Sequence, residues 1–387
     1  MAKTLPTCQI ILAGLCHRMK YNPLLRVAVL LILLLVYCEW LHYYIVLLHC
    51  TWPRLEGNNQ IGWTHPSTDM KVMFLADTHL LGNKEGHWFD RLRREWQMQR
   101  AFQTSMFLHQ PDIVFVLGDL LDEGKWCDDE EFLNHVERFN TMFSVPSGTQ
   151  RHVVVGNHDV GFHYMMTAHK SQRFTEAFQS PTVGMLHING VTFVFINSMA
   201  MEGDGCSLCA EASQSLNLIS QQLKCAKEGF KAKGCDKYEP FQYSRPILLQ
   251  HFPLFRQSDA NCSTEDAAPA QEKTVAFKSK HDTLSQQATA QLFKLLDPQL
   301  VIGAHIHHGC YRIHDNGVPE WTVASFSWRN KQNPSFLMAR ISSKEHKIHL
   351  CQMPSERTVI LIYIAGGLCI VMNLCLSFRA NKQRKTR

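Results

Sequence analysis

The chain has 387 residues, 45% of them hydrophobic, with a formal net charge of +5, which is long enough for one large folded domain with attachments. The positive charge sits at the ends. Residues 1–50 hold Lys3, Arg18, Lys20 and Arg26 against Glu39, residues 356–387 hold six basic residues against Glu356, and what remains between 51 and 355 is 29 basic and 32 acidic residues out of 39 and 34. A middle with a net charge of −3 argues against nucleic acid as a partner, because binding its backbone needs a basic surface.

Residues 1–23 read as a short cytosolic N-terminus. Residues 24–48 are apolar, with an unbroken stretch at 27–38, and exceed the roughly 20 residues that span a bilayer. A cleaved signal peptide would share that apolar core, but the length and the missing small-x-small site point to a retained transmembrane helix. Residues 49–69 form a lumenal linker containing Pro53, Gly57, Gly62 and Pro66. The folded domain covers 70–355. A strand is expected from about residue 71, a helix over 88–109 stopped by Pro111, a second helix over 128–143, and a helical piece over 174–178. Runs at 185–188 and 191–196 flank Asn189-Gly190, the strongest two-residue hairpin signal. Residues 201–240 read as an insertion carrying a helix over 213–227, and the polar, Ala-rich stretch 257–282 as a mobile loop near the site. A helix over 285–296 is stopped by Pro298, and strands follow at 311–314, 321–324, 336–341 and 348–351. Residues 358–378 are a second transmembrane helix and 379–387 a cytosolic tail. The alternation of strands and helices, then strands alone, predicts an α/β fold: two sheets face to face, covered by helices.

Basic residues lie outside both apolar segments, so both ends should be cytosolic and the domain lumenal. Asn261-Cys262-Ser263 is a glycosylation sequon, usable only on the lumenal side. Eight cysteines at 127, 206, 209, 225, 235, 262, 310 and 351 fall in the same part, where an oxidising compartment lets some of them pair. Cys206-Ser207-Leu208-Cys209 could be half of a zinc site, but the compartment favours disulfides; the pairing cannot be read from spacing. Arg384-Lys385 places a lysine third from the end in the register of a dilysine-type retrieval signal, while a stop-transfer cluster needs only the bases.

The chemistry-bearing residues come in five short clusters, each after a β-prone apolar run. They are Asp77-Thr78-His79, Gly118-Asp119, Gly156-Asn157-His158-Asp159, His251, and His305-Ile306-His307. Ligands at the carboxyl ends of several strands converge on one sheet edge. Carboxylate and amide oxygens mixed with imidazoles suit Mn²⁺, Fe or Zn²⁺, and the number of donors is enough for two cations.

In this order the clusters resemble the calcineurin-like metallophosphoesterase superfamily, whose pattern is D-x-H, GD, GNHD, H and GHxH. The match runs from about Val72 to His307. One position departs: Ala304 stands where the family has the glycine of its last motif. The resemblance implies a four-layer αββα sandwich, here flanked by two transmembrane helices, and two divalent cations, Mn²⁺ foremost. Carried over, Asp77, His79, Asp119 and His307 would hold the first cation, and Asp119, Asn157, His251 and His305 the second, with Asp119 bridging. His158 would stabilise the transferring phosphoryl group or protonate the leaving oxygen, and Asp159 would orient its imidazole. Asp122 is open between a residue that orients a ligand and a plain loop acid. Trp328 and Arg329, in Ser325-Phe326-Ser327-Trp328-Arg329-Asn330, are open between contacts to sugar or phosphate and a packing turn.

The Gly118–Gly124 loop, the 325–330 segment and the two flanking spans further resemble the branch of this superfamily that remodels GPI glycans. That likeness implies a phosphodiesterase that removes the ethanolamine-phosphate branch from the second mannose of GPI anchors in the early secretory pathway. The anchored proteins would then be its substrates, with cargo receptors and coat proteins as further partners. Another phospholipid, nucleotide or phosphoprotein substrate, or a phosphoglycan-binding sorting receptor, are the competing readings.

Overall fold

The computed structural model describes residues 22–55, 69–84, 86–203, 205–206 and 208–385. Residues 1–21, most of the linker, and Thr386-Arg387 lie outside the described residues. The chain divides into two compact units, Leu47–Met353 and the pair Met1–Val46 with Pro354–Arg387.

The large unit holds eleven strands: β1 (Met70–Leu75), β2 (Ile113–Leu117), β3 (Gln150–Val154), β4 (Val183–Ile188), β5 (Val191–Ile196), β6 (Ile247–Gln250), β7 (Leu300–Gly303), β8 (Cys310–Ile313), β9 (Pro319–Thr322), β10 (Ser335–Ile341) and β11 (His346–Gln352). They form one sheet in the order β11-β10-β1-β2-β3 and another in the order β4-β5-β6-β7-β9-β8. The strands β1, β2 and β3 run parallel, as do β5, β6 and β7. Such strands are covered on both faces, which is why they read as continuous apolar runs instead of alternating ones. Alternate residues face inward: Val72, Phe74 and Phe115 from one sheet meet Phe193, Phe195, Leu249 and Ile302 from the other. The Phe115 and Phe193 rings sit 4.9 Å apart across that layer. Each such fully buried side chain contributes about 1.5–3 kcal/mol.

Helices cover the outer faces. Trp88–His109 and Asp129–Met142 pack on each other, and the Arg151 guanidinium of β3 lies 5.2 Å over the Phe139 ring. Cys209–Glu228 packs on β4, and Gln286–Leu296 on Cys209–Glu228. Helix ends follow local chemistry. Asp128 caps its helix by accepting from Glu131 N at 2.9 Å, Ser285 likewise from Ala288 N at 3.1 Å, and Gln110 closes Trp88–His109 with φ of 45° before Pro111. The hairpin turns on Asn189 and Gly190, with φ of 49° and 77°, the left-handed pair a two-residue turn requires. The expected helical piece at 174–178 is the end of a longer helix, Ala168–Phe178.

Among the described residues four disulfides staple this unit: Cys50–Cys351, Cys206–Cys209, Cys225–Cys235 and Cys262–Cys310. Cys206 and Cys209 are therefore a disulfide and not half of a zinc site. Cys50 was no part of the expected lumenal set, yet it pairs with Cys351, with Cα atoms 5.3 Å apart, so both ends of the unit leave from one point. Cys127 stays free and buried. Stretch 257–282 is tied down by Cys262–Cys310 and by buried Asp266, which accepts from Ser335 Oγ at 2.7 Å.

Among the described residues of the small unit are two helical stretches, Pro23–Leu47 and Glu356–Arg379, of mean hydropathy 2.3 and 2.5. The first includes a π-helical turn at Tyr37–Leu41. At 1.5 Å per residue their 25 and 24 residues reach about 36 Å, enough to cross a bilayer. They lie against each other. Leu34 sits where a Cβ on Gly366 would fall, 2.7 Å away, Arg26 donates to Asn373 Oδ1 at 3.3 Å, and the Tyr363 hydroxyl bonds the Glu39 carboxylate. Both are long and apolar enough for membrane association.

Candidate metal centre

Asp77, Asp119, Asn157, His251 and His305 each follow the carboxyl end of a strand: β1, β2, β3, β6 and β7 respectively. The loops bond to one another before any side chain is considered. Asp77 N donates to Gly118 O at 3.1 Å, His79 N to Asp119 O at 2.9 Å, and Ala304 N to His251 O at 2.7 Å. His305 N donates to Asp77 Oδ2 at 3.2 Å, joining the loops of the two sheets. Asp77, His79, Asp119, His305 and His307 all have positive φ, between 44° and 73°. Left-handed backbone costs a non-glycine residue roughly 1–3 kcal/mol, and its concentration in one cluster marks a functional site. Two glycines make the close approach possible. A Cβ on Gly118, which has φ of +86°, would fall 2.5 Å from His251 Nδ1, and one on Gly156 would fall 2.2 Å from Asp119 N.

Six of the expected ligands, Asp77, His79, Asp119, His251, His305 and His307, come together. His79 Nε2 lies 3.2 Å from His307 Nε2, 3.5 Å from Asp119 Oδ2 and 3.8 Å from Asp77 Oδ1. His251 Nε2 lies 3.2 Å from both Asp119 Oδ2 and His305 Nδ1. Asp119 thus belongs to both groups. Asn157 follows Gly156 and is buried, and His158 N donates to Asp119 Oδ1 at 2.7 Å.

These residues fit two cations. Among the described residues, Asp77 Oδ1 and Asn157 Oδ1 are buried with no hydrogen-bond partner, a costly state unless something else binds them. The remaining nitrogens of three imidazoles are fixed from behind. His251 Nδ1 donates to Leu117 O at 2.7 Å, His305 Nε2 donates to His281 O at 2.9 Å, and His79 Nδ1 lies 3.0 Å from Asp122 Oδ1. A carbonyl only accepts, so His251 and His305 each carry a proton on the rear nitrogen, which leaves the nitrogen facing the cluster as the atom that could bind a cation.

The electrostatics agree. Burial would lift Asp77 and Asp119, yet the imidazoles around them hold both below the usual carboxylate range. Burial opposes charge on His79 as well, but Asp122 and Asp77 push it up to about 10, and Asp119 lifts His251 to about 9. Burial, with His251 beside it, takes His305 down to about 3, and burial takes His307 to about 4. Without a metal the two carboxylates are ionised and hold protons on His79 and His251, and divalent cations binding there would displace those protons.

His158 stands beside the cluster, its ring centroid 4.7 Å from that of His79. Its side chain is 28% exposed where that of His79 is 2% exposed, so of the two it is the imidazole open to an incoming group. Asp159 corrects the expectation. Its buried carboxylate accepts from Leu121 N at 3.0 Å and Gly156 N at 2.8 Å, both committed to loop backbone. Burial next to Asp119 raises it to about 7. The orienting residue is Asp122, left open in the sequence: its Oδ1 lies 3.2 Å from His158 Nδ1, which also lies 3.0 Å from the Asp122 carbonyl. Lys125 Nζ approaches the same nitrogen at 3.1 Å. Ala304 costs nothing, because positive φ falls on His305 and His307 and not on residue 304. Asn261 is exposed in a turn beside disulfide-bonded Cys262. Arg384 and Lys385 end the helix Glu356–Lys385, and their side chains lie outside the described residues.

The profile of the family described as calcineurin-like phosphoesterase matches residues 70–309. Metallophosphoesterase 1 of Mus musculus is 48% identical over 368 residues, covering 92% of each chain. The protein of that name from Gallus gallus is 46% identical over 348 residues, covering 89% of this chain and 87% of its own. Among solved structures, a dimetal phosphatase from Danio rerio aligns with 72% of this chain and 98% of its own, at 13% identity and a TM-score of 0.40. With the family match enclosing every residue from Asp77 to His307, and relatives nearly half identical along most of the chain, this protein belongs to the calcineurin-like phosphoesterase family and is a metal-dependent phosphoesterase.

Proposed function

We propose that the protein is a lumenal, membrane-anchored phosphodiesterase that removes the ethanolamine-phosphate branch from the second mannose of GPI anchors. The observation that carries this reading is the likeness to metallophosphoesterase 1 over 92% of the chain, together with the two apolar helices of this chain. A substrate held in the same membrane also suits a catalyst tethered there, since tethering raises effective concentration. The anchored proteins are its substrates, and trimming promotes their ER-to-Golgi transport, with cargo receptors and coat proteins as partners of the cytosolic tail. The reading predicts that GPI glycans from cells lacking the protein retain the branch on the second mannose, by mass analysis, and that restoring the chain removes it; unchanged glycans would defeat the assignment.

In this reading Asp77, His79, Asp119 and His307 hold one cation, and Asp119, Asn157, His251 and His305 the other. When bound, two divalent cations, Mn²⁺ foremost, supply Lewis acidity toward the phosphoryl oxygens and the attacking water. The neutral Asn157 amide keeps the site from becoming too negative for a phosphate. His158, steered by the Asp122 carboxylate and carbonyl, delivers a proton to the departing mannose oxygen, and phosphoethanolamine is released.

The lumenal placement rests on the basic flanks, the exposed sequon and the disulfides of the catalytic unit, which form in oxidising compartments. Asn261 is expected to carry a glycan, so glycosidase should shift wild type and not Asn261→Gln. Changing Arg384 and Lys385 to Ser should send the protein to later Golgi or the surface with its hydrolytic rate intact. An unaltered location in imaging would remove the retrieval role. A C-terminal tag protected inside sealed microsomes would reverse the topology.

A further inference from the structure

Arg329 is neither an expected ligand nor a neighbour of the cluster in sequence, yet its guanidinium NH2 lies 2.7 Å from Asp122 Oδ2. We infer that Arg329 is a positioning residue that locks the Asp122 carboxylate so that a single side chain sets the imidazoles of both His79 and His158. Asp122 Oδ1 serves both rings, at 3.0 Å from His79 Nδ1 and 3.2 Å from His158 Nδ1. A carboxylate used through one oxygen can still turn about its Cβ–Cγ bond. A close charged contact on the second oxygen, an ion pair at 2.7 Å that lacks the alignment of a hydrogen bond, opposes that rotation and so restrains the direction in which each ring points. The Asp122 side chain is 1% exposed and that of Arg329 24% exposed, so this pair is far less screened than a surface ion pair.

The segment that carries Arg329 is itself fastened to the site. Ser325 Oγ donates to Asp77 O at 2.8 Å, Ser325 N to His307 O at 3.2 Å, and Phe326 N to Ala76 O at 3.0 Å. From the helix Trp88–His109, fully buried Gln97 grips the same segment twice: its Nε2 donates to Phe326 O at 3.3 Å, and its Oε1 accepts from Trp328 N at 3.1 Å. Arg329 N donates to Ser327 Oγ at 3.2 Å. The segment therefore bonds the backbone of two ligand-bearing loops and then reaches a third loop through Arg329. The sequence alone left Arg329 between a substrate contact and a packing turn. The geometry gives it a third role, directed at Asp122.

This inference rests on His158 being the proton donor, and the test separates the two claims. Detergent-purified full chain is loaded with Mn²⁺ and assayed on methyl p-nitrophenyl phosphate and methyl phenyl phosphate. The first has a leaving group that needs little protonation and the second one that needs more. Arg329→Met should keep two metals per chain and a KM within about twofold of wild type. Its kcat on the phenyl ester should fall about 10–100-fold, in the range seen for residues that orient a site from behind, with a clearly smaller fall on the p-nitrophenyl ester. Arg329→Lys should recover part of the loss with the same leaving-group dependence, and it carries the test if the Met variant does not fold. His158→Ala should show the same dependence more strongly. A raised KM with kcat preserved would make Arg329 a direct phosphate contact and overturn the inference. Equal losses on both esters, or loss of metal, would reduce it to structural support. If His158→Ala is leaving-group dependent and Arg329→Met is not, the Arg329 inference falls alone. If neither is, the proton-donor role has failed and takes the inference with it.

Discussion

Asp119→Asn should abolish turnover, because it is the one side chain placed in both groups of ligands. Its Oδ2 lies 3.5 Å from His79 Nε2 and 3.2 Å from His251 Nε2, while its Oδ1 accepts from His158 N at 2.7 Å. Replacing a carboxylate by an amide removes a full charge from a site shared by two cations. Breaking one partner of a buried charged pair costs about 3–5 kcal/mol, equivalent to roughly 10²–10⁴-fold weaker binding. The check is metal content together with hydrolytic rate on the purified protein. Two tightly held metals and a near-normal rate would show that Asp119 does not bridge.

The second large effect is expected at His158. His158→Ala should keep both metals, since this ring is in neither of the groups that share Asp119; the group it joins, with His79 and Asp122, gathers around Asp122 Oδ1 at the rear nitrogen of His79. Its rate of phosphodiester hydrolysis should fall roughly 10²–10⁴-fold, the usual contribution of general acid–base help. Metal analysis decides between the two roles open to it: loss of metal along with rate would make His158 a ligand.

Much of the site could be read from the sequence because metal chemistry restricts residue type strongly. Asp77, His79, Asp119, Asn157, His251, His305 and His307 lie just past runs that read as buried strands, and within each sheet parallel strands bring their carboxyl ends to one edge; that the site joins the edges of two sheets was not legible. The helix over Trp88–His109 was legible for a similar local reason, with Pro111 just past its end. What could not be read depends on distance in three dimensions. Asp159 sits next to His158 in sequence, but its carboxylate turns back to the amides of Leu121 and Gly156, while the residue that reaches the His158 ring comes from 36 positions earlier. Cys50 and Cys351 are separated by 301 residues, and neither has a spacing that announces the other. Ala304 departs from the motif glycine, and the motif pattern does not reveal which of its residues takes positive φ; the histidines on either side of Ile306 do so. Helix Ala168–Phe178 was half hidden because its first turns are polar and only Phe174 and Phe178 marked its face.

The most direct test of the account gives the detergent-purified full chain a defined substrate. A GPI glycan bearing ethanolamine phosphate on its second mannose is incubated with wild-type protein, with Asp119→Asn and with chelator-treated wild type, and the products are followed by mass spectrometry. The account predicts release of phosphoethanolamine and a free mannose hydroxyl with wild type alone, restored to the chelated protein by Mn²⁺. Cleavage of simple aryl phosphodiesters with the GPI branch left intact would contradict the substrate assignment, and branch removal that survives both chelation and Asp119→Asn would contradict the two-cation site itself.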